Sequence, residues 1–302
     1  MDFDKILKEA LKREISPKEA LFLFRKTQNW ERLLQLFKTA CRVRDDEIGR
    51  ECKLMGFICC ITPCNTDPPC KYCFRWANER LFSEEAVLSD DELEIAVKTL
   101  EERGLKRVEL GGGTLWGEEG RQRTLRAVKV ACKSSRLEIW INNGPSYRVE
   151  DLPQMKKLGV TGIACNLETI NEAVFSKMRP GDNFQLRKAI IEASERLGLQ
   201  IDNTLMIGLG QQAGQPHPYE DWVNFFYYFK QFKNLRIIEI HPFRPITNSP
   251  VQDWPAGSEF ESEKARAIAR LIFRNVDISL SLIHISEPTR PLYISYAVFC
   301  LK

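Results

Sequence analysis

The sequence lacks several features that mark common classes of protein. No apolar run is long enough to span a bilayer, and the segment Met1–Ile6 does not have the pattern of a secretory signal. Basic and acidic residues number 44 and 41, and no basic block stands out. We therefore expect a soluble protein of the reducing cytoplasm that has neither a membrane nor a nucleic acid as its partner.

Histidine is scarce, and a second paired cysteine motif is missing. The three histidines, His217, His241 and His284, are scattered along the chain. Structural zinc usually takes four ligands, often from two paired motifs. Cys59 and Cys60 are candidates for a fourth thiolate, but neighbouring side chains on a strand point to opposite faces. Zinc is therefore disfavoured, and the irregular spacing of the ten cysteines disfavours a disulfide framework still more.

Three cysteines within ten residues are the most informative feature that is present. Cys64, Cys70 and Cys73 follow an apolar run and lie in a loop rich in proline, asparagine and aspartate. Thiolates are soft ligands that suit iron–sulfur clusters, zinc or copper. Three of them can hold three irons of a cubane cluster and leave the fourth iron open to a small molecule. The sequence therefore predicts a cluster with one open position.

The N-terminal segment, residues 1–52, is predicted to be helical. Ser16-Pro-Lys-Glu19 is a capping box with proline at the first helical position. Asn29 caps a longer helix, in which apolar residues recur at helical spacing. The predicted helices are 5–13, 17–24 and 30–48.

Residues 53–281 alternate short apolar runs with amphipathic helices. Repeated strand–helix units imply a parallel sheet with right-handed crossovers, and seven in a row favour a single (β/α) barrel. The predicted strands are 54–61, 106–111, 137–142, 160–166, 200–207, 235–241 and 275–280, and the helices 89–103, 121–132, 150–157, 184–197, 219–232 and 260–274. An eighth strand would fall in 282–302, which resembles a translated sequencing adapter. We therefore expect a truncated barrel with a non-native tail.

The alternation of side chains along these strands predicts a polar barrel interior. Barrels usually fill their interior with Val, Ile and Leu, and buried polar groups need partners. A polar ligand in the interior would meet that need, although a strand misassigned by one residue would reverse every side chain. The side chains predicted to face inward are Glu109, Glu138, Trp140, Asn142, Asp202, Thr204, Met206, Glu239 and His241.

Glycine-rich turns and a carboxylate follow the strands at the C-terminal rim, where barrels gather their catalytic groups. Gly111-Gly-Gly-Thr114 and Gly208-Leu-Gly-Gln211 follow the second and fifth strands and let backbone approach a ligand closely. Asn166 and Glu168 share a face after the fourth strand and are placed to grip hydroxyls and an ammonium group. Glu168 is alternatively a helix cap. Arg187 either meets a carboxylate in a bidentate manner or, as the sequence alone favours, lies on a solvated helix face.

In combination and order, these motifs resemble the radical S-adenosylmethionine (SAM) superfamily. The resemblance covers about residues 16–281, and the most similar branch is that of biotin synthase and the hydrogenase maturases. The superfamily usually spaces its cysteines as C-x3-C-x2-C, whereas five residues separate Cys64 from Cys70 here. The C-x5-C-x2-C spacing is similar to the Hmd co-occurring protein B family, as are the stretches 142–146 and 238–245. That family is tied to biosynthesis of the iron-guanylylpyridinol cofactor of [Fe]-hydrogenase.

The resemblance implies roles for the site residues. The three cysteines would ligate one [4Fe–4S] cluster, and SAM would chelate the open iron through its amino and carboxylate groups. Reductive cleavage of SAM would give a 5′-deoxyadenosyl radical that abstracts hydrogen from a small-molecule substrate, with ferredoxin or flavodoxin as a low-potential electron donor. The implied SAM contacts are Gly111, Gly112 and Gly113 to the methionine amine, Asn166 and Glu168 to hydroxyls, Arg187 to the carboxylate, and Tyr72 and Met206 to adenine.

The candidates for contact with the substrate lie deeper in the barrel. They are Asn142, Asp202, Glu239 and His241, of which His241 is either a proton carrier near neutral pH or a structural hydrogen-bonding group. Biotin synthase carries a second cluster on inner strands, but the matching stretches 109–112 and 203–206 contain no cysteine. We therefore expect no second cluster. The alternatives are another radical SAM reaction, such as a mutase or maturase step, or a non-enzymatic iron–sulfur or zinc protein.

Overall fold

The computed structural model describes residues 1–51 and 53–279. The predicted tail, 282–302, and the eighth strand expected within it lie outside the described residues. No helix in the described ranges is both long and apolar enough to cross a lipid bilayer.

A parallel sheet of seven strands in chain order forms the centre of the described fold. Helices on the outer face connect the strands, so the architecture is the predicted (β/α) barrel type. The strands are β1 Gly56–Ile58, β2 Arg107–Gly111, β3 Glu138–Asn142, β4 Val160–Ala164, β5 Gln200–Ile207, β6 Leu235–Pro242 and β7 Asp277–Ser279.

The helices end close to the predicted residues because their caps were readable in the sequence. They are α1 Phe3–Ala10, α2 Pro17–Lys26, α3 Trp30–Glu47, α4 Asp90–Glu102, α5 Glu118–Ser134, α6 Leu152–Leu158, α7 Glu172–Met178, α8 Phe184–Leu197, α9 Tyr219–Lys230 and α10 Glu259–Ile272. The capping box at Ser16 forms as predicted, with Glu19 bonded back to the Ser16 backbone. Asn29 caps α3 by accepting from the Arg32 amide.

Two elements differ from the prediction. β1 ends at Ile58 rather than at residue 61, so Cys59 and Cys60 follow the strand instead of lying on it. Residues 59–89, called the cysteine loop here, contain only single turns of 3-10 helix before α4. The short helix α7 was not predicted; Asn171 begins it by accepting from the amides of Ala173 and Val174.

The N-terminal helices pack against the last two outer helices of the barrel. α3 packs on α10, and α2 packs on both α9 and α10. Lys264 of α10 is fully buried, where its ammonium donates to the carbonyl of Phe24 and to the hydroxyl of Tyr219 and pairs with Glu261 at 2.8 Å. A buried ammonium needs such partners, so this contact fixes α2 against the barrel.

The predicted polar interior is confirmed by the hydrogen bonds between strands. Asn142 donates to Glu109 across β3 and β2, and Thr204 donates to Glu239 at 3.0 Å across β5 and β6. His241 shares a hydrogen bond of 3.3 Å with Glu239. The apolar residues between these positions face the outer helices and are buried, including Val108, Leu110, Ile139, Ile141, Ile201, Leu205, Ile238 and Ile240. The strand register was therefore assigned correctly.

Candidate active site

A cavity at the C-terminal ends of the strands unites almost all the predicted site residues. It contains about 1210 Å³ of empty space, part of which is open to solvent. The predicted residues that line it are Cys64, Cys70, Tyr72, Cys73, Gly112, Gly113, Asn142, Asn166, Glu168, Arg187, Met206 and His241.

The cysteine loop supplies the three thiols from one side of this cavity. Cys64, Cys70 and Cys73 are free cysteines, and each side chain is partly buried. Burial raises the pKa of Cys70 to about 11, even though the charge of Arg179 acts in the opposite direction. Burial also raises the pKa of Cys73. The structure thus presents three partly desolvated thiols to one space, which is the kind of ligand set used by iron–sulfur clusters.

Cys59 and Cys60, considered above as sources of a fourth thiolate, are not among the described residues that line the cavity. Cys60 is 3% exposed and lies in the left-handed region at φ 69°. A hydrogen bond with Cys59 lowers the pKa of Cys60 to about 7. Cys165 is buried and is likewise not among the described residues of the lining.

The glycine turn after β2 holds the cysteine loop in place through backbone contacts. Thr62 accepts from the Gly113 amide through its carbonyl, at 2.9 Å, and donates to the Gly113 carbonyl through its hydroxyl, at 2.7 Å. A Cβ atom on Gly113 would lie 2.3 Å from Cβ and 2.6 Å from Cα of Cys64. Only glycine fits this approach without moving the first cysteine of the triplet.

Like Asp202 and Glu239, Gly111 is not among the described residues that line the cavity. It is the last residue of β2, and its carbonyl accepts from the Ile61 amide at 2.9 Å. A Cβ atom there would lie 2.4 Å from the ring of Phe57. The Phe57 ring occupies the space where a Gly111 side chain would lie, and the contact of the Gly111 backbone with a ligand stays a prediction.

Residues after β3 support the glycine turn from behind. Asn143 donates to Thr62 and Thr124, and Ser146 donates to the Gly113 carbonyl at 3.2 Å. These are the polar residues of the Asn142–Ser146 stretch that the sequence analysis singled out. Asn142 alone of them faces the barrel interior, because it ends β3 on the inner side.

Glu168 lies on the opposite wall of the cavity in a positively charged setting. Its backbone has φ 65°, and its carboxylate accepts from the Tyr72 hydroxyl and pairs with Arg179 Nη1 at 3.4 Å. Burial raises the pKa of Glu168, while the charges of Arg179 and Arg187 lower it. The alternative role of Glu168 as a helix cap is wrong, because Asn171 caps α7.

Arg187 is buried rather than solvated, so the reading that the sequence alone favoured is wrong. Its side chain is 3% exposed and pairs with Asp182 at 2.7 Å. The same guanidinium donates to the Asn166 carbonyl at 3.1 Å and to Thr114 at 3.4 Å. Arg187 therefore reaches the cavity, but a hydrogen-bonded carboxylate already holds much of its guanidinium.

Sequence reasoning missed the segment Arg179-Pro-Gly-Asp182. Arg179 pairs with Asp182 at 2.8 Å and donates to the Asn166 carbonyl at 3.0 Å. A Cβ atom on Gly181 would lie 2.4 Å from the Pro68 carbonyl oxygen, so this segment packs directly on the cysteine loop. The signal was a charged pair flanking Pro-Gly just before α8, which reads as an ordinary turn unless its contact with the cysteines is known.

Asn166 and Met206 complete the lining. Asn166 Oδ1 is buried and has no hydrogen-bond partner among the described residues. An amide oxygen of this kind is an acceptor available to a ligand hydroxyl. The cavity therefore combines three thiols, backbone groups of a glycine turn, a carboxylate beside two arginines, and an amide oxygen without a partner.

Comparison with known proteins agrees with this geometry. Residues 59–217 match the Radical SAM superfamily. Uncharacterized protein MJ0785 of Methanocaldococcus jannaschii is 34% identical over 267 residues, which cover 88% of this chain and 68% of that protein. Biotin synthase of Clostridioides difficile is 25% identical over 280 residues, 91% of this chain and 82% of that enzyme.

Two solved structures share the fold. Methylornithine synthase (PylB) superposes with a TM-score of 0.76 at 20% identity, covering 93% of this chain and 79% of that one. HydG, a maturase of the [FeFe]-hydrogenase, superposes with a TM-score of 0.77 at 18% identity, covering 96% of this chain and 64% of that one. The chain belongs to the radical SAM superfamily, whose enzymes use a [4Fe–4S] cluster and SAM, and it is an enzyme of this kind.

Proposed function

We propose that the cavity binds one [4Fe–4S] cluster through Cys64, Cys70 and Cys73, with SAM beside it. The single observation that carries this proposal is the meeting of the three thiols, the glycine turn and Glu168 around one cavity. Among the described residues, no three His, Cys, Asp or Glu side chains converge closely enough to hold a single metal ion. Three soft thiolates on one loop, with no fourth cysteine among the described residues of the cavity lining, suit a cubane cluster with one open iron.

The residues fit a nucleoside-bearing ligand as well as a cluster. Gly112 and Gly113 expose backbone, and Asn166 Oδ1 lacks a partner among the described residues. We propose that Glu168 and Asn166 accept hydrogen bonds from the ribose hydroxyls of SAM. Tyr72 orients Glu168 from the cysteine loop, and the charge of Arg179 opposes the rise that burial causes in the pKa of Glu168.

The role proposed for Arg187 changes with its surroundings. Because Asp182 holds its Nε and Nη2 atoms, we propose that Arg187 acts on the SAM carboxylate mainly through its charge. Met206 and Tyr72 would flank the adenine. When bound, the cluster supplies the electron that cleaves SAM into methionine and a 5′-deoxyadenosyl radical, and the protein positions the substrate and excludes water.

We further propose that the reaction belongs to biosynthesis of the iron-guanylylpyridinol cofactor of [Fe]-hydrogenase. Support comes from the C-x5-C-x2-C spacing, the Pro68-Pro69 pair within it and the stretches 142–146 and 238–245. The electron would come from a low-potential donor such as ferredoxin or flavodoxin.

Anaerobic reconstitution tests this proposal in two stages. The chain is loaded with iron and sulfide, reduced, and supplied with SAM; we expect 5′-deoxyadenosine and methionine. Candidate precursors of the pyridinol ring are then added, and a ring precursor that accelerates SAM cleavage and is itself converted supports the pathway. If no ring precursor is converted but an unrelated substrate is, the chain catalyses another radical SAM reaction.

A further inference from the structure

Three carboxylates share the barrel interior beneath the cavity. Glu109 comes from β2, Asp202 from β5 and Glu239 from β6, and the first two are 4% and 1% exposed. Burial, and after it the charge of Glu239, raises the pKa of both Glu109 and Asp202. The pKa of Glu109 rises to about 8.

The hydrogen bonds in this group are unevenly shared. Glu109 accepts from Asn142, and Glu239 accepts from Thr204 and His241. Asp202 Oδ1, by contrast, is buried with no hydrogen-bond partner among the described residues. Asp202 lies on the same face of β5 as Thr204, two residues away, so it points into the interior toward Glu239.

Among the described residues, few positive charges face the interior carboxylates. The charge of Arg107 reaches Asp202, but its guanidinium pairs with Glu138 at 2.7 Å and lies over the ring of Trp140. His241 bonds to Glu239. Asp202 accepts a backbone hydrogen bond from Asn203, yet its Oδ1 has no partner among the described residues, and burying such an atom is costly.

An organic cation suits the hydrogen-bond acceptors of the interior. Within the described ranges, no three acidic, cysteine or histidine side chains are arranged to hold a metal ion. A protonated amine donates two or three N–H bonds in different directions and carries the required charge. An alcohol would bring donors without charge, and a carboxylate would be repelled.

We propose that the barrel interior binds the ammonium group of an amine substrate, with Asp202 and Glu239 accepting its N–H bonds. This inference rests on the proposed function, since it names the substrate class of the same site. Asn142 and His241 both line the cavity and bond to the interior carboxylates. The ammonium group therefore lies at the inner end, and the carbon atoms next to it extend past Asn142 and His241 toward the cysteines.

Binding of a simple amine tests the proposal on the reconstituted full chain with SAM bound. The probes are n-butylammonium, n-butanol and butyrate, titrated by saturation-transfer NMR. We expect n-butylammonium to bind at least tenfold more tightly than either of the other two. Asp202→Asn and Glu239→Gln should each weaken n-butylammonium at least tenfold, whereas Glu102→Gln, at an exposed position on α4, should change it less than twofold.

Equal binding of the three probes, or equal binding by all variants, would overturn the proposal. Circular dichroism and SAM cleavage control for folding, and Asp202→Asn should raise the Tm of the amine-free protein because it removes an uncompensated buried carboxylate. A fall in Tm with unchanged n-butylammonium binding would assign Asp202 a structural role and reject the proposal. If the wild-type chain binds n-butylammonium as expected but never cleaves SAM, the proposed function fails while this inference stands.

Discussion

The cysteine loop and the barrel interior hold their polar groups in opposite ways. In the interior, strand register fixes each side chain, and Asn142, Thr204 and His241 bond directly to neighbouring carboxylates. In the loop, little regular structure is present, and Cys64 is positioned by the glycine turn while the Arg179–Asp182 segment supports Cys70. The interior is therefore preorganised by the sheet, whereas the loop depends on contacts from other segments and on what its thiols bind.

The largest expected difference between the two regions comes from the thiols. Replacing Cys64, Cys70 or Cys73 by Ser, one at a time, should abolish cluster binding and SAM cleavage, since three thiolates are the minimum that leaves one open iron. Cys132→Ser, on α5, should retain both. Iron and sulfide analysis with 5′-deoxyadenosine quantification checks this. A variant of Cys64, Cys70 or Cys73 that keeps a full cluster would show that the cysteine loop does not bind it.

The glycine turn offers a matched pair of substitutions. Gly113→Ala would place a methyl group against the Cys64 backbone, so we expect at least a tenfold loss of SAM cleavage. The methyl group of Gly111→Ala would contact only the side-chain ring of Phe57. Because that ring is 41% exposed rather than packed in the core, we expect less than a threefold loss. Initial rates of 5′-deoxyadenosine formation decide the matter; equal losses would show that the turn does not position the cysteine.

Glu168 links the loop to the interior side of the cavity, and its charge should affect SAM affinity. Glu168→Gln keeps the shape but weakens the acceptor that faces Tyr72 and Arg179. We expect SAM to bind about tenfold more weakly, equivalent to about 1.4 kcal/mol. Equilibrium dialysis with labelled SAM measures this, with exposed Glu172→Gln as the control. An unchanged affinity would mean that the carboxylate does not touch the ligand.

A pH dependence of stability is expected from the interior alone. Burial and the charge of Glu239 raise the pKa of Glu109 from 4.5 to about 8, so folding favours its protonated form. The stability it contributes is complete below about pH 4.5 and is lost as pH rises toward 8. Glu109→Gln should therefore gain stability relative to wild type as the pH rises over that range, by at most about 1.4 kcal/mol for each pH unit.

Urea unfolding of the amine-free chain at several pH values measures this difference. A gap between the two proteins that stays constant from pH 5 to pH 8 would show that Glu109 does not titrate in the folded interior. Glu94→Gln, at an exposed ion pair on α4, serves as the control on the outer surface.

Much of the interior could be predicted because strand periodicity carries the information. Val108 and Leu110 alternate with Glu109, so one correct register places every side chain on β2. The same reasoning placed Asp202, Thr204 and His241. The cap residues Ser16 and Asn29 likewise predicted where two helices begin.

The loop region could be predicted only in part, because contacts between distant segments decide it. Arg187 is buried because it pairs with Asp182, and the ring of Phe57 packs beside Gly111. Neither contact follows from local periodicity. The support that Arg179–Asp182 gives the cysteines is equally invisible in sequence, since the two segments are about a hundred residues apart.

The most direct test of the central claim is electron paramagnetic resonance of the reduced, reconstituted chain, with and without SAM labelled with ¹⁵N at the methionine amine. We expect the signal to change when SAM is added and to show a hyperfine coupling from the labelled nitrogen, and we expect iron and sulfide analysis to give about four of each per chain. A single zinc without sulfide, or a cluster signal that SAM leaves unchanged, would contradict the central claim.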